Sequence, residues 1–302
     1  MIEKRKKEKA MIYSIENKIL KATVDTSGAQ LQSIYSKATE TEYLWQGDPA
    51  YWAGRAYNLF PTIGRMYKNT YTYDGNEYSL RCHGIARYRA FQLTDRTATK
   101  LTFRLTEDED SLKEYPFKFE FFIRYELKEA TLEISFIVKN TDEKELIFAL
   151  GGHPGFNVPF GNGAFEDYYL EFSEKTKVLF HTLSESKFMT GEKLPLPLTE
   201  GVRLPLRHEL FDNDAAILGN TCREISLKSK ADPRYITVKY PDFRYLGVWH
   251  TPETDAPFVC IEPWSALPAT DGVITDLSAK EDMTRLAPGK TYKTSWSIEI
   301  HE

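Results

Sequence analysis

The chain has 302 residues, 41% of them hydrophobic and 27% charged, with a formal net charge of −5. This supplies ample material for a well-filled core and argues against a disordered chain or a dedicated polyanion binder. Cys82, Cys222 and Cys260 are odd in number and widely spaced, with no CxxC pair, which predicts reduced thiols in a cytoplasmic protein and neither a disulfide frame nor a zinc site.

The chain opens on "EKRKKEK" (Glu3–Lys9), short and mixed in sign, which reads as a solvated tail and not a nucleic-acid arm. Met11 begins a strand-like run, so residues 1–10 are expected to be a disordered extension and residues 11–302 a single domain. No apolar run approaches membrane-spanning length, and the first residues lack a signal peptide's apolar stretch. Neither a membrane nor a nucleic-acid partner is expected.

Strand candidates follow at Ile19–Val24 and Ala29–Tyr35. "NLFPTIGR" (Asn58–Arg65) breaks this grammar with an apolar run ending in Gly64-Arg65. "YTYDGNEYSL" carries Asp74-Gly75, a hairpin-turn signal. Next comes "RCHGIAR" (Arg81–Arg87), where His83 precedes a glycine just after a strand. Lys100–Thr106 is a further strand, and "DSLKEY" (Asp110–Tyr115) could make a turn or two of helix.

In "FKFEFFIRYEL", Phe117, Phe119, Phe121, Ile123, Tyr125 and Leu127 share one face. After "KEA", Leu132, Ile134, Phe136 and Val138 repeat the alternation, so the two runs form an antiparallel hairpin. Leu146–Leu150 is a strand candidate, and "FALGGHPGFNVPF" (Phe148–Phe160) predicts a rigid Gly-Gly-His-Pro-Gly turn presenting His153. Further strands are expected at Tyr168–Phe172, Glu224–Lys228, Tyr235–Tyr240, Tyr245–His250 and Phe258–Glu262. Between them, "KLPLPLTEGVRLPLRHEL" reads as a packed surface loop. The last alternating run places Tyr292, Thr294, Trp296, Ile298 and Ile300 on one face. Helical patterns are scarce and no repeat or linker divides the chain. The fold class is all-β, a large antiparallel sandwich.

In "FVCIEPWSALPATDG", alternation puts Glu262 on the face of Phe258 and Cys260. Desolvation there raises a carboxyl pKa and improves it as a proton acceptor near neutral pH. Taken singly, His83 and His153 read as satisfied structural histidines, Glu262 as the partner of a buried Arg65 or Arg87, and Trp249 and Trp264 as core. No local metal-ligand spacing, phosphate-binding loop or serine elbow is present, so no metal and no cofactor are expected.

Taken together, "LFP-x-x-GR", "HG", "HPGFN" and "CIEPW" occur in the order of the aldose 1-epimerase (galactose mutarotase) family, and the sequence resembles its bacterial branch from Met11 onward. The resemblance implies the family's large β-sandwich. It implies Glu262 as general base, His153 as general acid, and His83 as a substrate-binding and electrostatic partner. Arg65 and Asp214 are the implied substrate ligands, with Asp212 close enough to compete with Asp214. Asn157, Trp249 and Trp264 complete the expected sugar site. Two departures from the galactose-specific members stand out. "GRMYKNT" lacks the second arginine of their "GR-x-x-NR", and "HPGFN" replaces "HPYFN", removing an aromatic wall.

The activity implied is interconversion of the α and β anomers of a free aldohexose, by a monomer or homodimer. A hexose-6-phosphate 1-epimerase of the same fold, a non-catalytic sugar-binding protein, and a glycosidase using Glu262 with Asp214 are the alternatives. A phosphate-specific enzyme needs cations at the pocket, and Arg65, Arg81, Arg87 and Arg89 are the available arginines.

Overall fold

The computed structural model describes residues 10–302, so nearly all of the expected N-terminal extension lies outside the described residues. Two large antiparallel sheets carry the fold. In the nine-stranded sheet the order is Arg203–Pro205, Tyr168–Phe172, Glu224–Ser229, Tyr235–Lys239, Thr291–His301, Thr131–Asn140, Phe119–Lys128, Lys100–Thr106 and Gln92–Arg96. The seven-stranded sheet runs Met189–Pro195, Leu179–Leu183, Ala216–Gly219, Tyr245–Trp249, Phe258–Trp264, Gly151–Asn157 and Ala56–Leu59. The all-β sandwich expected from alternation is the fold observed.

The predicted hairpin pairs Leu127 with Leu132 and Phe121 with Val138, and Phe119, Phe121, Ile123, Leu132, Ile134, Phe136 and Val138 are fully buried. Period-two patterning therefore turned one face of each strand onto the core. Phe60 from the rim of the smaller sheet stacks on Phe121 at 4.7 Å between centroids. The Asn58 amide donates to the Tyr125 hydroxyl at 3.0 Å, tying the two sheets with a buried polar contact. Asp74 and Gly75 both take left-handed φ (50° and 73°) between Thr70–Tyr73 and Asn76–Ser79, as a tight hairpin requires. Helix is confined to Glu109–Glu114 and short 3-10 turns; Asp108 caps that helix by accepting from the Ser111 amide at 2.7 Å.

Two expectations fail. The Pro-rich segment is not all loop: Met189–Pro195 is an exposed edge strand, and Arg203–Pro205 edges the larger sheet. Proline is tolerated there because an edge strand leaves amide positions unpaired. More consequentially, the Gly-Gly-His-Pro-Gly run is not a turn. Gly151–Asn157 is a buried strand, pairing Gly151, Gly152, His153 and Pro154 with Leu59, Asn58, Tyr57 and Ala56. On its other side Gly151 faces Trp264 and Gly155 faces Cys260. The glycines serve packing: a Cβ on Gly152 would lie 2.4 Å from the Trp296 ring of the opposite sheet.

Candidate active site

The registers at Gly151–Trp264 and Gly155–Cys260 put His153 directly across from Glu262. Both side chains project from the face of the smaller sheet turned away from the larger one, where Trp45, Ala256, Phe258 and Cys260 form a separate apolar cluster. On the next strand Gly247 pairs with Glu262. With no side chain at Gly247, the Trp264 ring lies over it, 2.6 Å from where a Cβ would sit. Its indole N–H donates to Glu262 Oε2 at 3.2 Å. His153 Nε2 stands 3.4 Å from the same oxygen. Trp52 stacks on the His153 ring at 5.0 Å, and Trp249 meets it edge-on at 5.7 Å.

His83 reaches the site from a different loop. Its backbone donates to Gly64 O at 2.7 Å, and the Gly64 amide donates to His83 Nδ1 at 3.1 Å. An acceptor Nδ1 leaves the proton on Nε2, so neutral His83 is a donor toward the pocket. His83 takes φ 65° and Gly84 φ 75°, a local left-handed bend that the double clamp to Gly64 holds. Arg65 pairs with Asp214 at 2.5 Å across the mouth. These groups surround a cavity of about 310 Å³, lined also by Cys82, Arg87, Leu183, Lys187 and Pro268.

Burial dominates the titration. It pushes the Glu262 carboxyl well above the usual range, and the Asp214 charge adds to the rise, against the Trp264 hydrogen bond and Arg87. Burial lowers His153 to about 3, helped by the Arg87 charge. It also lowers His83, with His153, Arg87 and Arg65 acting in the same direction. The Cys82 thiol is raised by burial to about 11 and is therefore a thiol at neutral pH. Both shifts act against charge, so burial favours the neutral His153–Glu262 pair, with the proton on Glu262, over the ion pair.

Most of the expected residues converge. His83, His153, Glu262, Arg65, Asp214, Trp249 and Trp264 line one cavity, while exposed Asp212 does not. Asn157 is a correction: its amide donates to Glu42 O and Leu44 O at 2.8 and 3.1 Å, tying backbone and not facing the cavity. Neither Arg65 nor Arg87 is an ion-pair partner of Glu262; Arg65 is taken by Asp214. Sequence reasoning misses Trp52 and Lys187 as site residues. Arg87, four residues past His83, enters the sequence reading only as a possible partner of Glu262 or as one of four available arginines, and of those four it lines the cavity together with Arg65. Donor groups with no local spacing in the sequence can still meet across strands. His153, Cys260 and Glu262 bring one donor atom each within 4.8 Å of one another, a cross-strand juxtaposition that sequence spacing cannot reveal.

Fold and cavity together define a β-sandwich protein with a carbohydrate-sized pocket built around a buried carboxyl–imidazole pair. The chain belongs to the aldose 1-epimerase family, whose model matches residues 11–298. It is 32% identical over 299 residues to the plasmid-encoded protein LacX of Lactococcus lactis subsp. lactis, covering 96% of this chain and 99% of that one. Among solved structures, a galactose mutarotase-like protein from Lactobacillus casei ATCC 334 superposes with TM-score 0.91 at 33% identity, covering 96% of this chain and all of that one. A galactose mutarotase related enzyme from Lactobacillus acidophilus gives TM-score 0.91 at 34% identity, covering 97% and 98%.

Proposed function

We propose that this protein is an aldose 1-epimerase that interconverts the α and β anomers of an aldohexose by acid–base ring opening. The observation that carries this reading is the 3.4 Å approach of His153 Nε2 to Glu262 Oε2 inside the cavity. The anomeric carbon bears both oxygens whose protons must move, so the acid and base have to be close neighbours. A glycosidase needs its carboxyls roughly 5–9.5 Å apart, spanning a glycosidic bond or an extra water. Asp214, the carboxylate such an enzyme would need, is engaged by Arg65.

In the reactive arrangement Glu262 is the carboxylate and His153 carries the proton. Glu262 takes the proton of the anomeric hydroxyl as the bond from C1 to the ring oxygen breaks, and His153 protonates that oxygen. Rotation about C1–C2 presents the other aldehyde face, and the same proton transfers run backwards. The pair carries one proton throughout. Burial favours holding it on Glu262; a sugar hydroxyl donating to the carboxylate favours its charged form and shifts the proton to His153. His83 Nε2–H and the cations of the wall stabilise negative charge on oxygen as it develops. Trp249 lines the cavity beside His153, where its ring can meet the sugar's C–H surface.

The test is polarimetry on a freshly dissolved single anomer of each common aldohexose. Acceleration of the optical-rotation change over buffer, lost in both Glu262→Gln and His153→Asn, supports the reading. No acceleration with any aldose would sink it.

A further inference from the structure

His153 Nε2 faces Glu262, but Nδ1, on the other edge of the ring, is buried with no hydrogen-bond partner among the described residues. A histidine that must carry a proton is ordinarily held by an acceptor on that second nitrogen, which fixes the ring and stabilises the imidazolium. Here the edge is not served, so orientation and charge have to be provided for on the face of the ring. Trp52 covers that face, with centroids 5.0 Å apart and planes at 23°. Tyr57, His83 and Trp249 instead meet the imidazole at 74°, 82° and 76°. Trp52 also stacks on Phe258 (5.6 Å, 22°), and Phe258 on Trp45 (4.6 Å, 25°), so the imidazole ends a row of near-parallel rings. The row is rigid: the Trp52 backbone donates to Asp48 O at 2.9 Å and its carbonyl accepts from the Trp45 indole at 2.8 Å. Gly155, on the same strand face as His153, makes room for it. A Cβ there would lie 3.1 Å from Trp52 Cζ3 and 3.2 Å from Trp45 Cβ. The glycine of "HPGFN" is thus the gap that Trp52 fills, and a tyrosine there would collide with the indole.

We propose that Trp52 is a positioning residue of the proton transfer: its indole face keeps the imidazole plane aimed at Glu262 and stabilises the positive charge when His153 carries the proton. The negative face of an indole attracts a cation and favours a neutral ring much less. Trp52 therefore stabilises the reactive, charged form of the His153–Glu262 pair relative to the neutral one. Its contribution belongs to the chemical step and not to sugar binding. This rests on the epimerase reading of the same site.

The experiment replaces Trp52 alone, in the full chain, by tryptophans carrying one, two and three ring fluorines. Each fluorine draws negative charge off the indole face and barely alters its shape. Polarimetry on an aldohexose that the wild type turns over should show kcat falling stepwise, by about three- to tenfold across the series, with KM unchanged. Trp52→Phe, which keeps a face, should lose less kcat than Trp52→Leu, which keeps only bulk; this pair serves if the fluorinated chains fail to fold. In His153→Asn, where no imidazolium forms, the fluorines should leave the residual kcat alone. A flat series in an active wild type, or equal losses in Trp52→Phe and Trp52→Leu, would overturn the proposal and leave the epimerase standing. A graded change in KM would overturn it as well, assigning the face of Trp52 to the sugar. The same stepwise loss in His153→Asn would show that Trp52 does not act through His153. Absence of anomer exchange in the wild type would remove the epimerase reading and this proposal with it.

Discussion

Replacing Glu262 by glutamine tests the chemistry and the buried proton together. Glutamine keeps the shape and still accepts from the Trp264 indole, which now lies 3.2 Å from Oε2, but it cannot take a proton. Loss of a positioned general base costs roughly 10²–10⁴-fold, and it should fall on kcat with KM nearly unchanged. Stability should move the other way. Glu262 is 1% exposed and its carboxyl is raised far above the ordinary 4.5. Above pH 4.5 the unfolded chain releases this proton while the native chain keeps it, so the group makes the wild type less stable as pH rises, until pH passes the native value. The slope is about 1.4 kcal/mol per pH unit, and the glutamine variant lacks it. The unfolding free energy of the variant minus that of the wild type should therefore grow by about 1.4 kcal/mol per unit above about pH 5. Buried His83 contributes equally to both proteins and cancels, so the difference counts the proton of the His153–Glu262 pair. Urea denaturation at half-unit pH steps measures it. A difference independent of pH would mean that the native His153–Glu262 pair holds no proton, and unchanged kcat would remove Glu262 as the base.

His153→Asn should lose about 10²–10⁴-fold in kcat, because asparagine donates a hydrogen bond but delivers no proton; His83→Asn should show more of its loss in KM, and steady-state polarimetry separates the two. The pH profile of kcat/KM should be bell-shaped with limbs opposite to those an ordinary carboxylate base and imidazole acid would set, where the base gives the acidic limb and the acid the basic one. The active pair holds one proton, so the second proton adds at depressed His153, near pH 3, and the last leaves from raised Glu262. Activity at pH 5 should accordingly stay within about twofold of that at pH 7, and a roughly tenfold fall per unit below about pH 6.5 would refute the assignment. Exhaustive chelation should leave turnover unchanged, because the proposed steps use only these side chains; a loss restored by one divalent metal would assign the His153–Cys260–Glu262 cluster a bound ion in the working enzyme.

Strand alternation is legible in the sequence because the core-facing set is apolar almost without exception, as in Phe119–Leu127 and Leu132–Val138, so period and register are written in the same residues. Glu262 is legible as a polar residue on an apolar face. The motifs of the resemblance also bring His83, His153, Arg65 and Asp214 to the cavity; what remains is not legible, for two physical reasons. Arg65, Arg87 and Lys187 are ordinary surface cations in sequence; which of them keeps its charge unpaired depends on where Asp214, Tyr57 and Asn213 arrive from elsewhere in the chain. Asn157 looks like a sugar ligand near His153 and shares its face of the strand, but four residues on it has left the cavity, and its amide serves the Glu42 and Leu44 carbonyls.

The same alternation explains why glycine and proline around His153 mislead. They signal a turn when local conformation decides, yet here tertiary packing decides. Gly152 approaches Trp296 so closely that a methyl group would sit 2.4 Å from the ring, while His153 projects from the opposite face toward Glu262. The glycine lets the strand settle onto the larger sheet, and that seating fixes the height of the imidazole in the pocket. Gly152→Ala should therefore cost about 1–3 kcal/mol by overpacking, a drop of roughly 2–6 °C in Tm for a chain of this size. It should also lower kcat, by displacing the imidazole from the carboxyl. Combined with Trp296→Phe, which withdraws the offending part of the indole, the alanine should cost less than it does alone, a coupling that a double-mutant cycle measures. A flexible turn would accept the methyl group without either loss. Wild-type Tm and kcat in Gly152→Ala would therefore show that packing on Trp296 does not aim His153.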